Sequence, residues 1–439
     1  MSSTVLPKEI NYTQPASLPE GTQCTSIVAS PINGQTFAAS SIIQFDLVQR
    51  GYMVPESMYL RYRLTTTLPA AADNTMALRG TPAYSFFSRL ETIVGSQVVE
   101  SIQNYNQLSN MLVNCRMNYA QKVGLANSLG YSSSGAANAY AFDFSTNSPN
   151  GISFATSTAA NAIGANIFLA APLGCILSNC DNLVPLKYMP SCRIQLTLDT
   201  SANIYRSAAA TVFSLSNLEL CYDVIEFNPM VDQAISSRGS GMLTIKSQSY
   251  LSSGVTLPAA SSGSLEFLFN QRLASIKSLF THLSGTAVGT SVNLAFDSVD
   301  CTGTAGGDYQ WFVSGIPYPP RPISTVQNKA GASMELSNAF GPAHDLLTSN
   351  FSINPTEFNS GNTTVTTIQQ MGKFYLGTNV EKLSTNDALL TGISSQGSPI
   401  SFRVSIGTAT TNAQVIQLIC LFDCLLQVDM NQRTLVVMQ

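Results

Sequence analysis

The sequence predicts an all-β protein made of two tandem β-sandwiches, and three observations carry that prediction. Apolar and polar residues alternate over many short runs, which is the pattern of half-buried strands. Glycine (29) and proline (20) collect mostly between those runs, where they set turns or end strand pairing. Landmarks of the first half also return, in the same order, in the second.

Along the chain, the clearest alternating sets are Met58, Leu60, Tyr62 and Leu64; Ile194, Leu196 and Leu198; Leu218, Leu220, Tyr222 and Val224; and Leu265, Phe267 and Phe269. Each places one apolar face toward a core. PASLPEG (15–21), PINGQ (31–35) and IPYPPRP (316–322) separate strands as turns. One segment breaks the pattern. Tyr105, Leu108, Leu112, Cys115 and Tyr119 recur at steps of three and four, predicting an amphipathic helix at a sheet edge or corner with its Asn and Gln residues on the other side.

The duplication rests on four landmarks. Leu218, Leu220, Tyr222 and Asp223 match Leu418, Cys420, Phe422 and Asp423 at a spacing of 200 residues. SCRIQLTLDT (191–200) parallels SFRVSIGTAT (401–410), with Arg193 matching Arg403 at a spacing of 210. Gly95 corresponds to Gly315 at 220, and Gln49-Arg50 to Gln271-Arg272 at 222. The expected organisation is an N-terminal arm (1–24), a first sandwich (25–228) with a surface insertion at about 124–170, a turn-rich linker (229–240) and a second sandwich (241–439). The insertion is rich in small and polar residues, with Tyr140, Phe142 and Phe144 hinting at a short strand and Ser133 near its tip.

Charge narrows the function. Charged residues make only 10% of the chain against about 25% in a typical soluble protein, and the net charge is −4. A surface so neutral favours association, so an obligate oligomer is expected. Arg61 and Arg63 flank Tyr62 on a half-exposed strand and Lys8 stands beside Glu9, so no basic tail or patch offers a nucleic-acid footprint. The longest apolar stretch, Val415 to Leu426, is broken by Gln417 and Asp423 and falls short of the roughly 18 residues of a spanning helix. The opening MSSTVLPKEINYTQP lacks the pattern of a secretory signal, which points to the cytosol or nucleus and leaves the sequons at Asn11, Asn350 and Asn362 without meaning. Nine cysteines at irregular spacing read as reduced, mostly buried thiols. Cys175 with Cys180, or Cys420 with Cys424, lack the C-x-x-C spacing of structural zinc sites.

Catalytic motifs are missing. Only His282 and His344 are present, in no metal or triad pattern, and a lone histidine beside a loop is expected at the surface. GYSSSG (130–135) has one residue too many for a nucleophile elbow, and Gly239 with Gly241 do not continue into a phosphate cradle. No catalytic, cofactor-binding or metal-ligating residue is nominated, and no cofactor is expected. The chain reads as a non-enzyme.

Several longer segments resemble those of a known family. SPINGQTFAASSIIQFDL (30–47) and SMYLRYRL (57–64) are similar to its first strands. FSRLETIVGSQVVESIQNYNQLSNML (87–112) resembles its strand, Gly turn, strand and helix, the helix opening on Tyr105-Asn106. APLGCILSNCDNLVPLKYMPSCRIQLTLD (171–199) and YQWFVSGIPYPPRPI (309–323) resemble a late loop-and-strand of the first half and a strand, Gly turn and Tyr-Pro element of the second. The family is that of the double jelly-roll major capsid proteins of polinton-like viruses and virophages. The resemblance implies two eight-stranded jelly rolls per chain, and homotrimers forming pseudo-hexagonal capsomers that tile an icosahedral shell. It further implies a place in the virion, assembly in host cytoplasm or nucleus, and penton and minor capsid proteins as partners, with an internal membrane left open. It also implies that 124–170 is an outward tower loop packed by its aromatic trio, the alternative being a disordered linker, and that a second helix lies near QNKAGASMELSNA (327–339), less regular because of Gly331. Two other classes compete. A receptor-binding or adhesive sandwich of spike or penton type would not need two equivalent sandwiches. A glycan-active enzyme would need paired carboxylates in a cleft, and Trp311 is the only tryptophan available for sugar stacking.

Overall fold

Alternation in the sequence becomes eight principal strands in the first half, beside several of two or three residues: β1 (Gln23–Ala29), β2 (Ile42–Asp46), β3 (Tyr59–Thr67), β4 (Phe87–Val94), β5 (Gln97–Gln103), β6 (Ile163–Pro172), β7 (Cys192–Leu198) and β8 (Val212–Glu226). The second half repeats them: β9 (Met242–Leu257), β10 (Gly263–Phe269), β11 (Ile276–Gly285), β12 (Asp308–Val313), β13 (Ile316–Ser324), β14 (Leu376–Asn379), β15 (Ile400–Ile406) and β16 (Gln414–Asp429). A last strand, β17 (Thr434–Met438), pairs with β16. This computed structural model describes residues 19–67, 77–78, 80–130, 142–143, 163–206, 212–238, 241–285, 298, 307–341, 353, 358, 373–382, 389–407 and 413–439.

The first eight strands form sheets ordered β1-β8-β3-β6 and β2-β7-β4-β5, and the next eight form sheets ordered β9-β16-β11-β14 and β10-β15-β12-β13. Adding eight to any label of the first half therefore gives its counterpart in the second. Two facing antiparallel sheets with four principal strands each, connected in this order, make a jelly roll, and the chain contains two; short strands add to the first sheet of each half.

The duplication reaches single residues. Arg193 on β7 sits directly opposite Asp46 on β2 and bonds it at 2.7 Å, and Arg403 on β15 sits opposite Glu266 on β10 at 3.1 Å. Gly95 turns the β4–β5 hairpin at φ +61° and Gly315 the β12–β13 hairpin at φ +79°, a left-handed backbone that side chains with a Cβ resist.

Each sandwich has its own aromatic centre. Leu60, Tyr62 and Leu64 point inward from β3, and the Tyr62 ring meets Phe86 and Phe87 edge-on at 6.3 and 5.5 Å. In the second sandwich Trp311 lies between Tyr309 and Phe402 at 5.2 and 5.1 Å. Full burial of such side chains contributes about 1.5–3 kcal/mol apiece.

Several expectations are corrected. The predicted helix stops at Arg116, giving α1 (Tyr105–Arg116), and Tyr119 opens a separate short helix, Tyr119–Gly124. The polar side of α1 is not solvated: Asn106, Asn110 and Asn114, at steps of four, are all buried. Asn106 donates to Asp199 at 2.8 Å, and Asn110 accepts from Thr81 and Asn114 at 3.3 Å, so the stripe is satisfied inside the protein. The prolines of 316–322 do not end the strand: they lie within β13, an edge strand, where Pro317 pairs with Phe312 and residues 319–322 form an irregularity before pairing resumes at Ile323. Most of the expected turn at 229–240 is helical, α2 (Pro229–Arg238), started by Pro229 in the first turn and by the Asn228 side chain accepting from Met230 N at 3.2 Å.

The second expected helix is regular after all: α3 (Lys329–Phe340) is capped by Asn328, whose side chain accepts from Gly331 N at 2.9 Å. A Cβ on residue 331 would lie 2.5 Å from Asn328 Nδ2, so this glycine is what the cap requires. The segment expected as an insertion at 124–170 belongs to the sandwich at both ends. Leu129 is buried in the short helix Ala126–Leu129, and β6 begins at Ile163. Phe142 pairs with Leu78, whereas Ser133, Tyr140 and Phe144 lie outside the described residues. The three sequons lie outside them too.

Candidate assembly surfaces

Where the two sandwiches meet, the contact is polar and specific. From α1, Asn114 Nδ2 donates to Tyr375 Oη at 3.3 Å, the Gln107 and Gln417 side-chain amides bond, and the Arg116 guanidinium stacks 5.4 Å over Phe340 of α3. From the loop after β6, Asp181 N donates to Lys246 O and Asn179 Nδ2 to Gln248 O, both at 3.0 Å, while Ser247 Oγ donates to Ile176 O at 2.5 Å. At the far end Gln439 Nε2 donates to Val99 O at 2.6 Å.

Glu100 of β5 is a buried acidic side chain at this seam. Its carboxylate accepts from Thr92 Oγ1 at 2.8 Å, from Ile176 N at 2.9 Å and from Ser249 Oγ of the second sandwich. Burial pushes its pKa up, and those three hydrogen bonds pull it part of the way back.

The residues weighed for chemistry have other roles. His282, expected at the surface, is buried on β11 beside the Tyr375 ring at 5.7 Å. His344 lies outside the described residues. Burial pushes the thiols of Cys175, Cys180 and Cys420 up to about 12, which keeps them in the protonated form rather than the thiolate that ligates metals. Cys424 is shifted upward by the same cause. Among the described residues no group of three or more His, Cys, Asp or Glu is placed to hold a metal ion. Trp311 is fully buried and offers no platform to a sugar.

What remains is surface. On the outer face of the first sandwich, Arg61 of β3 pairs with Glu219 of β8, and the Arg63 guanidinium stands 6.0 Å over the ring of Phe168 on β6. Phe168 is 59% exposed, more than any other aromatic ring among the described residues. Phe168, Arg61 and Glu219, together with Asn217 and the loop at 30–35, border an open groove of about 610 Å³. An aromatic ring, a balanced ion pair and backbone edges can hold another surface. Sequence reasoning did not find this groove, because its parts come from four distant stretches of chain.

No family model matches the chain, and no curated protein matches it in sequence. Solved structures do match in fold. The Faustovirus major capsid protein is 11% identical, with a TM-score of 0.64 over 97% of this chain and 93% of that one. A chain of the Sputnik virophage structure is 13% identical, with a TM-score of 0.57 over 99% and 92%. The mavirus major capsid protein is 11% identical, with a TM-score of 0.54 over 99% and 95%. Over nearly its whole length, the chain has the double jelly-roll fold of these viral major capsid proteins.

Proposed function

We propose that this chain is a viral major capsid protein, working by self-assembly and not by catalysis. The observation that carries the reading is the pair of jelly rolls joined in one chain, matched over almost its full length by capsid proteins at both sandwiches. Low charge supports it, since a wall element buries its sides against neighbours. In this reading residues 25–228 and 241–439 are two like units joined by 229–240. Three chains form a pseudo-hexagonal capsomer, and capsomers tile an icosahedral shell in the virion with penton and minor proteins at special positions.

Electron microscopy of the purified full-length chain tests the proposal. Hexagonal capsomers, singly or in sheets and shells, are the expected result. Isolated single chains across the accessible concentration range would overturn it.

A further inference from the structure

We propose that the groove on the outer face of the first sandwich receives helix α3 of a second copy of this chain. The inference rests on the capsid reading and names the subunit contact within it.

The argument begins with equivalent positions. Asn217 and Glu219 on β8 correspond to Gln417 and Ile419 on β16, at the same spacing of 200 residues. Glu219 lies opposite Arg61 on β3, and Ile419 lies opposite Phe280 on β11. Arg61 is therefore the counterpart of Phe280, and counting two residues along β3 and β11, past a bulge in β8 at Asn217, makes Arg63 that of His282. One strand further out, Phe168 lies opposite Arg63 and under its guanidinium, while Tyr375, just before β14, lies beside the His282 ring. Phe168 is thus the counterpart of Tyr375.

The two copies of this face are treated differently. In the second sandwich it is covered. Gln107 and Asn114 of α1 reach from the first sandwich onto Gln417 and Tyr375, and α3 lays Phe340 on Phe280 at 4.6 Å. Phe280, His282 and Tyr375 are all buried as a result. In the first sandwich the face is open at Arg61 and at Phe168, which is 59% exposed at the groove, while Arg63 is half-buried.

The helices show the reverse asymmetry. Helix α1 is buried on most of its circumference between the two sandwiches, whereas α3, its counterpart after the second hairpin, leaves Met334 51% exposed on its outer side. Each chain therefore carries one contact made, α1 on the second sandwich, and both halves of the same contact unmade. The made contact is head-to-tail, and repeating a head-to-tail contact between copies generates a ring when the rotation closes. Three chains supply six sandwiches to such a ring. Phe168 would be its aromatic anchor and Met334 the thioether that meets it, a favourable pairing of sulfur with an aromatic ring.

The test uses two full-length variants, Phe168→Glu and Met334→Glu, both at outward-facing positions, with unchanged thermal unfolding as the check on the fold. Sedimentation of each variant alone is expected to show the concentration for half-association raised at least about tenfold over the parent. Mixing the two is expected to yield a species of two chains, because the intact groove of one variant still accepts the intact α3 of the other. If the parent associates and either variant associates as it does, or if the mixture gives nothing new, the contact is wrong while the capsid reading stands. If the parent itself never associates, both fall.

Discussion

Glu100 shows how one side chain makes the seam sensitive to pH. Its folded pKa is raised by burial, so between the ordinary glutamate value of about 4.3 and that raised value the folded chain holds a proton that the unfolded chain has released. Its contribution to stability therefore falls as pH rises through this window. Against Glu100→Gln, which cannot ionise, the parent is expected to lose ground steadily in thermal melts as pH increases from about 4.3. A constant difference between the two proteins would show that Glu100 does not titrate in the seam. The Asn328 cap is a smaller matter: Asn328→Ala should cost about 1 kcal/mol, read from urea unfolding, by leaving Gly331 N without its acceptor. At this scale the sequence was least legible. Asn106, Asn110 and Asn114 look like a solvated helix face because asparagine is usually wet, and only Asp199 and Thr81, distant in the chain, make them an internal one. His282 was misplaced for the same reason: a lone histidine carries no signal of the strand that buries it.

Strands and helices were legible to the extent that local pattern determines them. β3, β7 and β8 follow alternation because each has one face on a core and the other outside, so the period of two survives in the residues. β16 hides from that rule, being buried at nearly every position from Gln414 to Asp429, and it was found only through its likeness to β8. β13 and α2 were missed because proline and the Ser-Ser-Arg-Gly run were read as breakers, whereas a strand edge and a first helical turn both tolerate proline. The matched ion pairs Arg193–Asp46 and Arg403–Glu266 mark the duplication but contribute little stability, since both are solvent-exposed. Arg193→Ala and Arg403→Ala are each expected to shift unfolding by less than about 1 kcal/mol. In contrast, Trp311→Ala should cost about 3–5 kcal/mol by opening a cavity among Tyr309 and Phe402. Unfolding curves of the three variants check both statements, and a large effect of either arginine would give the pairs a role that exposure argues against.

The whole molecule associates, on the reading proposed here, through neutral surfaces and not through charge. Light scattering at micromolar concentration should find trimers whose pairwise contacts bury about 2,000 Å² or more. Binding to free nucleic acid should be weak and sequence-independent, because the net charge is −4 and Arg61, Arg193 and Arg403 are each already paired with a carboxylate. A submicromolar affinity at physiological salt with a steep salt slope would contradict this. The burial of β16 on both faces has a further consequence for how the molecule is made. A ribosome delivers the first sandwich and α1 before the second sandwich exists, so the later half matures against a template already standing. Reversing the order of the halves by circular permutation would present β16 to water before its cover is translated. Such a chain should need chaperones, or aggregate, where the natural order does not.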